Sequence, residues 1–434
     1  MATDRKEYES FKGLLNGNAQ ILDKSILLDC VAEKTLTDLG SADFVYVLHD
    51  PCDIRKPYSS GSEHLGTVLS LQKKVVSGYS SFNSVAVIPE EQKVHLLCNE
   101  LYSNALPSYV NQEVVNLVKS NKVNTSEATL PKEDLLDKKG QIISEEKQEL
   151  VKNNNYLNGL VIAKNMLKKS SDLLKKDHSF RKVCHVLDRE FDNNKLFETI
   201  DKQEDFFIIR LKINRLSNEK QTIYTKKGNV SKRVSFKKLI DKKFENNSTY
   251  EIPKLTIKGK RYNQVQASIE WESVYLGGKK YQVVRVSLSQ FGKPLFDHPM
   301  LLLTNQSINN SKEASQVYHG YILRFKIEVV FRFLKQNLGW ESFQVRDFKS
   351  IENLLAIAFF LVGYYKELEE ELKQHPLATF LCKLAFSKGK ITLFFLLAGL
   401  EKIVHFQQVK QWMLEENISQ DQLDELVKQL NFTQ

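Results

Sequence analysis

Apolar positions recur along this chain with two different periods, and the change from one to the other divides it. From 42, ADFVYVLHD is a β-rich run ending on Asp50, with Pro51 placed to stop regular pairing directly after it. GYSSFNSVAVIP (78–89) and KVHLLCNELYS (93–103) are two further strand-like stretches, and PEEQ between them reads as a hairpin turn. The simplest arrangement is an antiparallel three-stranded start. Ahead of it, residues 4–39 read as two or three short helices broken at LLNGN. From 109 to about 180 the pattern turns polar and helical, through VNQEVVNLVKS and LNGLVIAKNMLKKSSDLLKK, with an exposed excursion at TSEATLPKEDLLDKKGQIISEEKQ. RKVCHVLDREFDNN then gives a short strand ending on Asp188, and a helix over 195–202 followed by DFFIIRLK completes a β-α-β pattern. Between 212 and 300 the strand period takes over: KLTIKGKRY, VQASIEWESVYLG and KKYQVVRVSLSQF are separated by Gly-Lys, Asn-containing and Gly-Gly turns, with Lys pairs at 226–227, 237–238, 242–243 and 279–280. MLLLTNQ resumes the core, and after 349 the chain is nearly all helical.

One helical stretch carries an ionic stripe. In YILRFKIEVVFRFLK, Tyr321, Arg324, Glu328 and Lys335 are spaced three, four and seven apart, which at 100° per residue places them within an arc of about 60°. Ile322, Phe325, Ile327, Val329, Val330, Phe333 and Leu334 occupy the other faces. The pattern predicts a continuous helix docked on a core with its ionic stripe facing outward. An acid between two bases on such a helix suits holding a metal ion against a phosphate.

Composition adds less. At 434 residues the chain is long enough for two or three domains, and 42% hydrophobic residues are enough to fold them. A formal charge of +9 favours a polyanionic partner such as nucleic acid. Cys30, Cys52, Cys98, Cys184 and Cys382 are odd in number and nowhere paired at metal-ligand spacing, which fits a reducing compartment. The N-terminal MATDRKEYESFKG lacks the apolar core of a secretion signal. The longest apolar runs, 354–365 and 391–400, are shorter than the roughly 20 residues of a spanning helix and read as core helices.

Three acids are singled out by position. Asp50 and Asp188 each follow a strand and Glu328 lies on the docked helix, so together they can form the oxygen-rich cage that hard divalent cations require. Two such ions roughly 3.5–4 Å apart activate a water or a 3′-hydroxyl in phosphodiester displacement. Arg189, Arg324 and Lys335 lie near enough in sequence to neutralise phosphates. His49 and His185 sit beside the two aspartates in sequence, with core packing the favoured role, and Trp340 reads as a core anchor.

These residues carry a resemblance. The helix matches the Tyr-x2-Arg-x3-Glu-x6-Lys signature of bacterial insertion-sequence transposases with a DDE catalytic core, LDRE at 187–190 resembles the family's motif at the second aspartate, and VLHDPCDI resembles its first. The resemblance covers roughly 43–345. It implies an α/β fold, with an RNase H-like mixed sheet flanked by helices, an inserted β-rich subdomain and an all-helical C-terminal region. The corresponding divisions are a helical N-terminal arm (1–40), the core in two parts (41–211 and 301–348), a basic β insertion (212–300) that clamps DNA, and a helical region (349–434) for dimerisation.

By the family pattern Asp50, Asp188 and Glu328 hold two Mg²⁺ ions, for which Mn²⁺ can substitute, and Tyr321, Arg324 and Lys335 bind DNA phosphates. The implied partners are the element's terminal inverted repeats, target DNA and a second copy of the chain, in the bacterial cytoplasm at the nucleoid. The implied reaction is strand cleavage followed by strand transfer; the alternative is a decayed, catalytically silent copy that binds or inhibits. There are departures. Met300, ahead of Leu301, Leu302 and Leu303, stands where a well-known member has a tryptophan that stacks on a flipped base. Pro51 and Cys52 replace small residues, Asp53 competes with Asp50 as first ligand, and 49 residues precede Asp50 where many relatives have a larger DNA-binding domain.

Overall fold

A computed structural model describes residues 23–91, 93–124, 143–212, 223–225, 233–234, 244, 246–257, 260–276, 279–387, 389, 391, 393–422 and 424–425. Most of the arm at 1–22, most of the excursion at 125–148 and the Lys pairs at 226–227, 237–238 and 242–243 lie outside these residues. The chain forms two compact units, Met1–Phe360 and Leu361–Gln434.

The first unit opens with α1 (Lys24–Leu39), capped by Asp23, whose carboxylate accepts the Ser25 N–H. Four strands follow: β1 (Phe44–Arg55), β2 (Gly66–Leu69), β3 (Val75–Val87) and β4 (Val94–Tyr102). Then come α2 (Gln112–Asn124), α3 (Glu145–Lys152), α4 (Gly159–Lys176), β5 (Lys182–Leu187), α5 (Asn194–Lys202) and β6 (Phe206–Arg210). The expected hairpin about PEEQ and the β-α-β unit are both present: β3 pairs antiparallel with β4, and β5 and β6 are parallel.

The next segment supplies β7 (Ile223–Thr225), β8 (Arg233–Val234), β9 (Asn246–Ile257), β10 (Lys260–Leu276), β11 (Lys279–Gln290), β12 (Lys293–Pro294) and β13 (Met300–Thr304). All thirteen strands belong to one sheet, in the order β2-β3-β1-β5-β6-β13-β11-β10-β7-β8, with β4 on β3, β9 on β10 and β12 on β11. The strands between 246 and 290 therefore prolong the core sheet, because β13 bonds β6 on one edge and β11 on the other. A turn was expected at Asn263; β10 instead runs straight through it, with Gln264 at φ +53° taking up the irregularity.

The central strands β1, β5 and β6 are parallel. Covered on both faces, they read as nearly unbroken apolar runs. Val45, Val47, Val183, Leu187, Phe207 and Ile209 join α4 and α5 residues such as Ala163, Leu167, Phe197 and Ile200 in the main core. Through that core runs a row of buried polar groups. Ser84 Oγ lies 2.8 Å from His49 Nδ1, His49 Nε2 lies 2.8 Å from His185 Nδ1, and His185 Nε2 lies 3.1 Å from Asp205 Oδ2. Lys175 Nζ closes it, 2.6 Å from Asp205 Oδ1. Burial, then the neighbouring His185, holds His49 well below the ordinary imidazole pKa, so it is neutral. The two histidines pack in the core. His49 points to the face of β1 opposite Asp50, since adjacent strand residues alternate.

On the other face lie α6 (Ser311–Leu323) and α7 (Phe325–Gln336), followed by α8 (Phe348–Gln374). A side chain on Gly320 would put its Cβ 2.7 Å from the Tyr46 ring and 2.9 Å from Ile208 Cδ1, so only glycine lets α6 sit this close to the sheet. Gly320→Ala is expected to lower stability by about 1–3 kcal/mol, read as the midpoint shift in urea unfolding. Trp340 is buried beyond α7. The second unit contains the end of α8, α9 (Ala378–Leu384) and α10 (Leu393–Glu415), with a small core of Ala378, Leu381, Cys382 and Leu396. No helix among the described residues is long and apolar enough to cross a membrane.

Candidate active site

The site forms where two parallel strands part. β1 and β5 pair from Phe44↔Lys182 as far as Leu48↔Val186, and Asp50 and Asp188 follow at their carboxyl ends. The expectation that Pro51 ends the strand is corrected here. β1 continues to Arg55, because β3 pairs with it through Pro51↔Phe82 to Arg55↔Gly78, while β5 has already stopped. The missing N–H of Pro51 thus falls beside a strand that no longer needs it.

The signature helix also differs from its expectation. α6 stops at Leu323 and α7 starts at Phe325, with Arg324 between them still at helical angles (φ −50°, ψ −36°). The Arg324 N–H donates to the Tyr321 carbonyl and the Ile327 N–H to the Arg324 carbonyl, three residues back rather than four, so one turn is tightened. Nor does the whole stripe face outward, although Glu328 is half-exposed. Tyr321 is fully buried and Arg324 is 7% exposed, whereas Phe325 and Val329, expected in the core, are 44% and 58% exposed. Tyr321 and Arg324 turn inward because the sheet presents Asp188 and Asp50 for them to meet.

Arg324 is the hub. Its Nη1 lies 3.2 Å from Asp50 Oδ2 and its Nη2 3.6 Å from Glu328 Oε1. The Tyr321 hydroxyl donates to Asp188 Oδ1 at 3.1 Å, and that same oxygen accepts the Arg189 N–H at 2.7 Å. Burial pushes the Asp50 carboxyl up to about 7; Arg324 opposes this, and the charges of Asp188, Glu328 and Glu190 reinforce it. Burial works against the Arg324 cation, yet Asp50, Tyr321, Asp188 and Glu328 together raise its pKa. Burial, followed by Asp188, pushes Tyr321 to about 12. Arg324 Nε is buried with no hydrogen-bond partner, a donor left unsatisfied by the protein itself.

The other expected residues stand around this group. Lys335 donates to the Asp53 carbonyl at 2.6 Å and pairs with Glu341 Oε1 at 3.1 Å, so its ammonium clasps the end of β1. Asp53 is occupied elsewhere: its carboxylate accepts from Ser80 Oγ at 3.1 Å and from the Leu69 N–H at 3.3 Å. Arg189 is exposed at the start of a short 3₁₀ turn (Arg189–Phe191). Met300 begins β13, half-buried opposite Val286. Two participants were not singled out by sequence: Glu190, whose charge reaches Asp50, and Glu341, which also meets Arg55 Nε at 3.2 Å. Glu190 was legible in the LDRE motif; Glu341, in a stretch read only for Trp340, gave no periodic signal.

Most of these residues fall in one segment. Residues 164–362 match the family described as Transposase DDE domain. The match spans somewhat under half the chain and takes in Asp188 and all of Tyr321–Lys335; Asp50 lies outside it and is delivered to the same place by β1. It supports a DDE transposase of insertion-element type, a protein of DNA transposition and recombination. The mixed sheet flanked by helices is compatible with that family's fold. A comparison with curated proteins finds no match.

DDE transposases generally use divalent metal ions. Among the described residues no three His, Cys, Asp or Glu side chains are gathered at a spacing that would hold one as they stand. The donor set nevertheless fits in kind. Asp50, Asp188 and Glu328 offer only carboxylate oxygens, and burial above all, with the charges of Asp188 and Glu328 adding to it, raises the Asp50 pKa. The Arg324 guanidinium supplies the positive charge between Asp50 and Glu328.

Proposed function

We propose that this chain is an active transposase that cuts and rejoins the ends of its insertion element by metal-assisted phosphoryl transfer on an RNase H-like core. The carrying observation is that Asp50 and Glu328 meet at Arg324 while Tyr321, three residues earlier, donates to Asp188, within and beside the matched transposase segment. Asp50, Asp188 and Glu328 would hold two Mg²⁺ ions. Bound there, the ions supply a water of lowered pKa and neutralise charge on the phosphate.

The remaining work falls to the chain's own groups. Arg324, with a buried donor to spare, receives a phosphate oxygen of the DNA strand. Tyr321 stays protonated at neutral pH, since burial lifts its pKa to about 12, and as a hydrogen-bond donor orients the Asp188 carboxylate. Lys335 fixes the end of β1 through the Asp53 carbonyl, and in this reading Arg189 and Met300 are further contacts to the DNA. Asp50 is the first ligand in this reading, because Asp53 is spent on Ser80 and Leu69. Val404, Phe406, Trp412 and Leu414 on α10 are all more than half exposed, an apolar surface suited to a second copy of the chain.

Purified protein should nick labelled DNA carrying the element's terminal repeats in Mg²⁺ or Mn²⁺. Chelation with EDTA should abolish the nicking, and re-addition of Mg²⁺ should restore it. Binding of the ends without any metal-dependent cleavage would instead make the chain a silent binder.

A further inference from the structure

The polar row through the main core is more than packing requires. Ser84 on β3, His49 on β1, His185 on β5 and Asp205 just ahead of β6 are all buried, with Lys175 on α4 at the far end. Apolar side chains of similar volume would fill this space without desolvating polar atoms, and such exchanges commonly leave a protein as stable or more so. Stability therefore does not account for the row. Its end is pinned: Asn305 Nδ2 donates to the Asp205 carbonyl at 2.8 Å, and Asn305 Oδ1 accepts the Phe207 N–H at 3.0 Å. Burial works against the Asp205 anion, but its contacts with His185, Lys175 and Ser171 lower its pKa overall, so the carboxylate accepts and His185 Nε2 donates. In a neutral ring His185 Nδ1 then accepts from His49 Nε2, and His49 Nδ1 accepts from the Ser84 hydroxyl. Every ring nitrogen has one partner.

Register is what the apolar pattern of these strands leaves open. FVYVLH on β1 and KVCHVL on β5 carry apolar residues on both faces, so a slip of one residue, roughly 3.3 Å, would sacrifice little apolar burial. The backbone ladder between the strands ends at Leu48↔Val186, ahead of both aspartates, and a slipped pair could form a similar ladder. The side-chain row could not. Its His49–His185 bond of 2.8 Å exists in one register, and a slip would turn one imidazole to the other face and strand its partner. The aspartates lie on that other face, where Asp50 meets Arg324 and Asp188 meets Tyr321. The slip that breaks the histidine bond would also carry Asp50 out of step with Asp188.

We propose that the Ser84–His49–His185–Asp205 row is a register lock, and that His49 and His185 are positioning residues that hold Asp50 and Asp188 level with each other for metal binding. The role rests on the reading of these two aspartates as metal ligands. The lock acts from behind the site, on the opposite face of the sheet, and requires no proton transfer along the row.

The informative variant combines His49→Leu with His185→Leu in the full chain. No ring nitrogen is left unpaired, Asp205 keeps Lys175 and Ser84 keeps the Cys98 thiol, so the Tm should match the parent's or exceed it. Mn²⁺ binding without DNA, followed by the paramagnetic resonance of the free ion, should nevertheless be roughly tenfold weaker. Amide hydrogen exchange in peptides covering β1 and β5 should quicken roughly tenfold as well. His49→Gln, whose amide offers a donor and an acceptor as the neutral ring does, should keep both values close to the parent's. Should the double variant fail to fold, Ser84→Ala, a milder break at the end of the row, should lose Mn²⁺ affinity in the same direction. If the folded variants bind Mn²⁺ as tightly as the parent, the positioning role is refuted, whatever their exchange rates, and metal-dependent cleavage by the parent keeps the transposase reading. If the parent binds no Mn²⁺ and cuts no end DNA, the transposase reading falls and the positioning role falls with it.

Discussion

Asp188→Asn and Glu328→Gln should each reduce DNA strand cleavage by roughly a thousandfold while leaving end binding within a few fold of the parent, because several kcal/mol of transition-state charge stabilisation disappears with each ligand. Both changes keep the side-chain shape and a hydrogen-bonding oxygen. The amide oxygen that replaces the Asp188 carboxylate would still accept from the Tyr321 hydroxyl and the Arg189 N–H, so the local turn should persist. Glu328 is half-exposed, which makes its replacement nearly neutral for folding. A gel assay on labelled ends, with a shift assay run beside it, separates the two readouts. Cleavage within tenfold of the parent in either variant would remove that acid from the catalytic set. Asp53→Asn is the control: engaged by Ser80 and Leu69, it should cut normally.

The two strand runs that carry the aspartates were legible because each is apolar and leads straight to an acid. VYVLHD and VCHVLD announce both a buried β run and its carboxyl-terminal aspartate, and in a parallel pair those ends coincide. The path of β1 beyond Asp50 was not legible, since whether Pro51 breaks a strand depends on which neighbour is still pairing there. β2 escaped for want of length and apolar character.

The signature stretch shows the limit more sharply. Periodicity placed Tyr321, Arg324 and Glu328 on one face correctly, and it could not say whether that face met water or other charges. The answer lies on β1 and β5, more than a hundred residues earlier in the chain. The hydrogen bond between His49 and His185 was hidden for the same reason: it joins strands 136 positions apart.

Arg324→Ala should destabilise the protein in a pH-dependent way, by about 3 kcal/mol at pH 8 and clearly less at pH 6, measured by urea unfolding in metal-free buffer. The Asp50 carboxyl, raised by burial from 3.8 to about 7, binds its proton more tightly folded than unfolded. A raised carboxyl contributes stability that is fully present below pH 3.8 and is lost as pH climbs through about 7. Arg324 is the neighbour that opposes this shift, so without it the loss continues above pH 7. At pH 6 Asp50 is already mostly protonated, and removing the guanidinium strands little charge. At pH 8 the variant must keep an anion that is 19% exposed with no partner at its Oδ2, or hold a proton against the solution. Equal losses at both pH values would mean that Arg324 stabilises through packing, with its guanidinium 5.1 Å from the Phe325 ring centroid, rather than through charge. Arg324→Lys should recover only part of the loss, because a single ammonium cannot reach Asp50 and Glu328 together as the planar fork does.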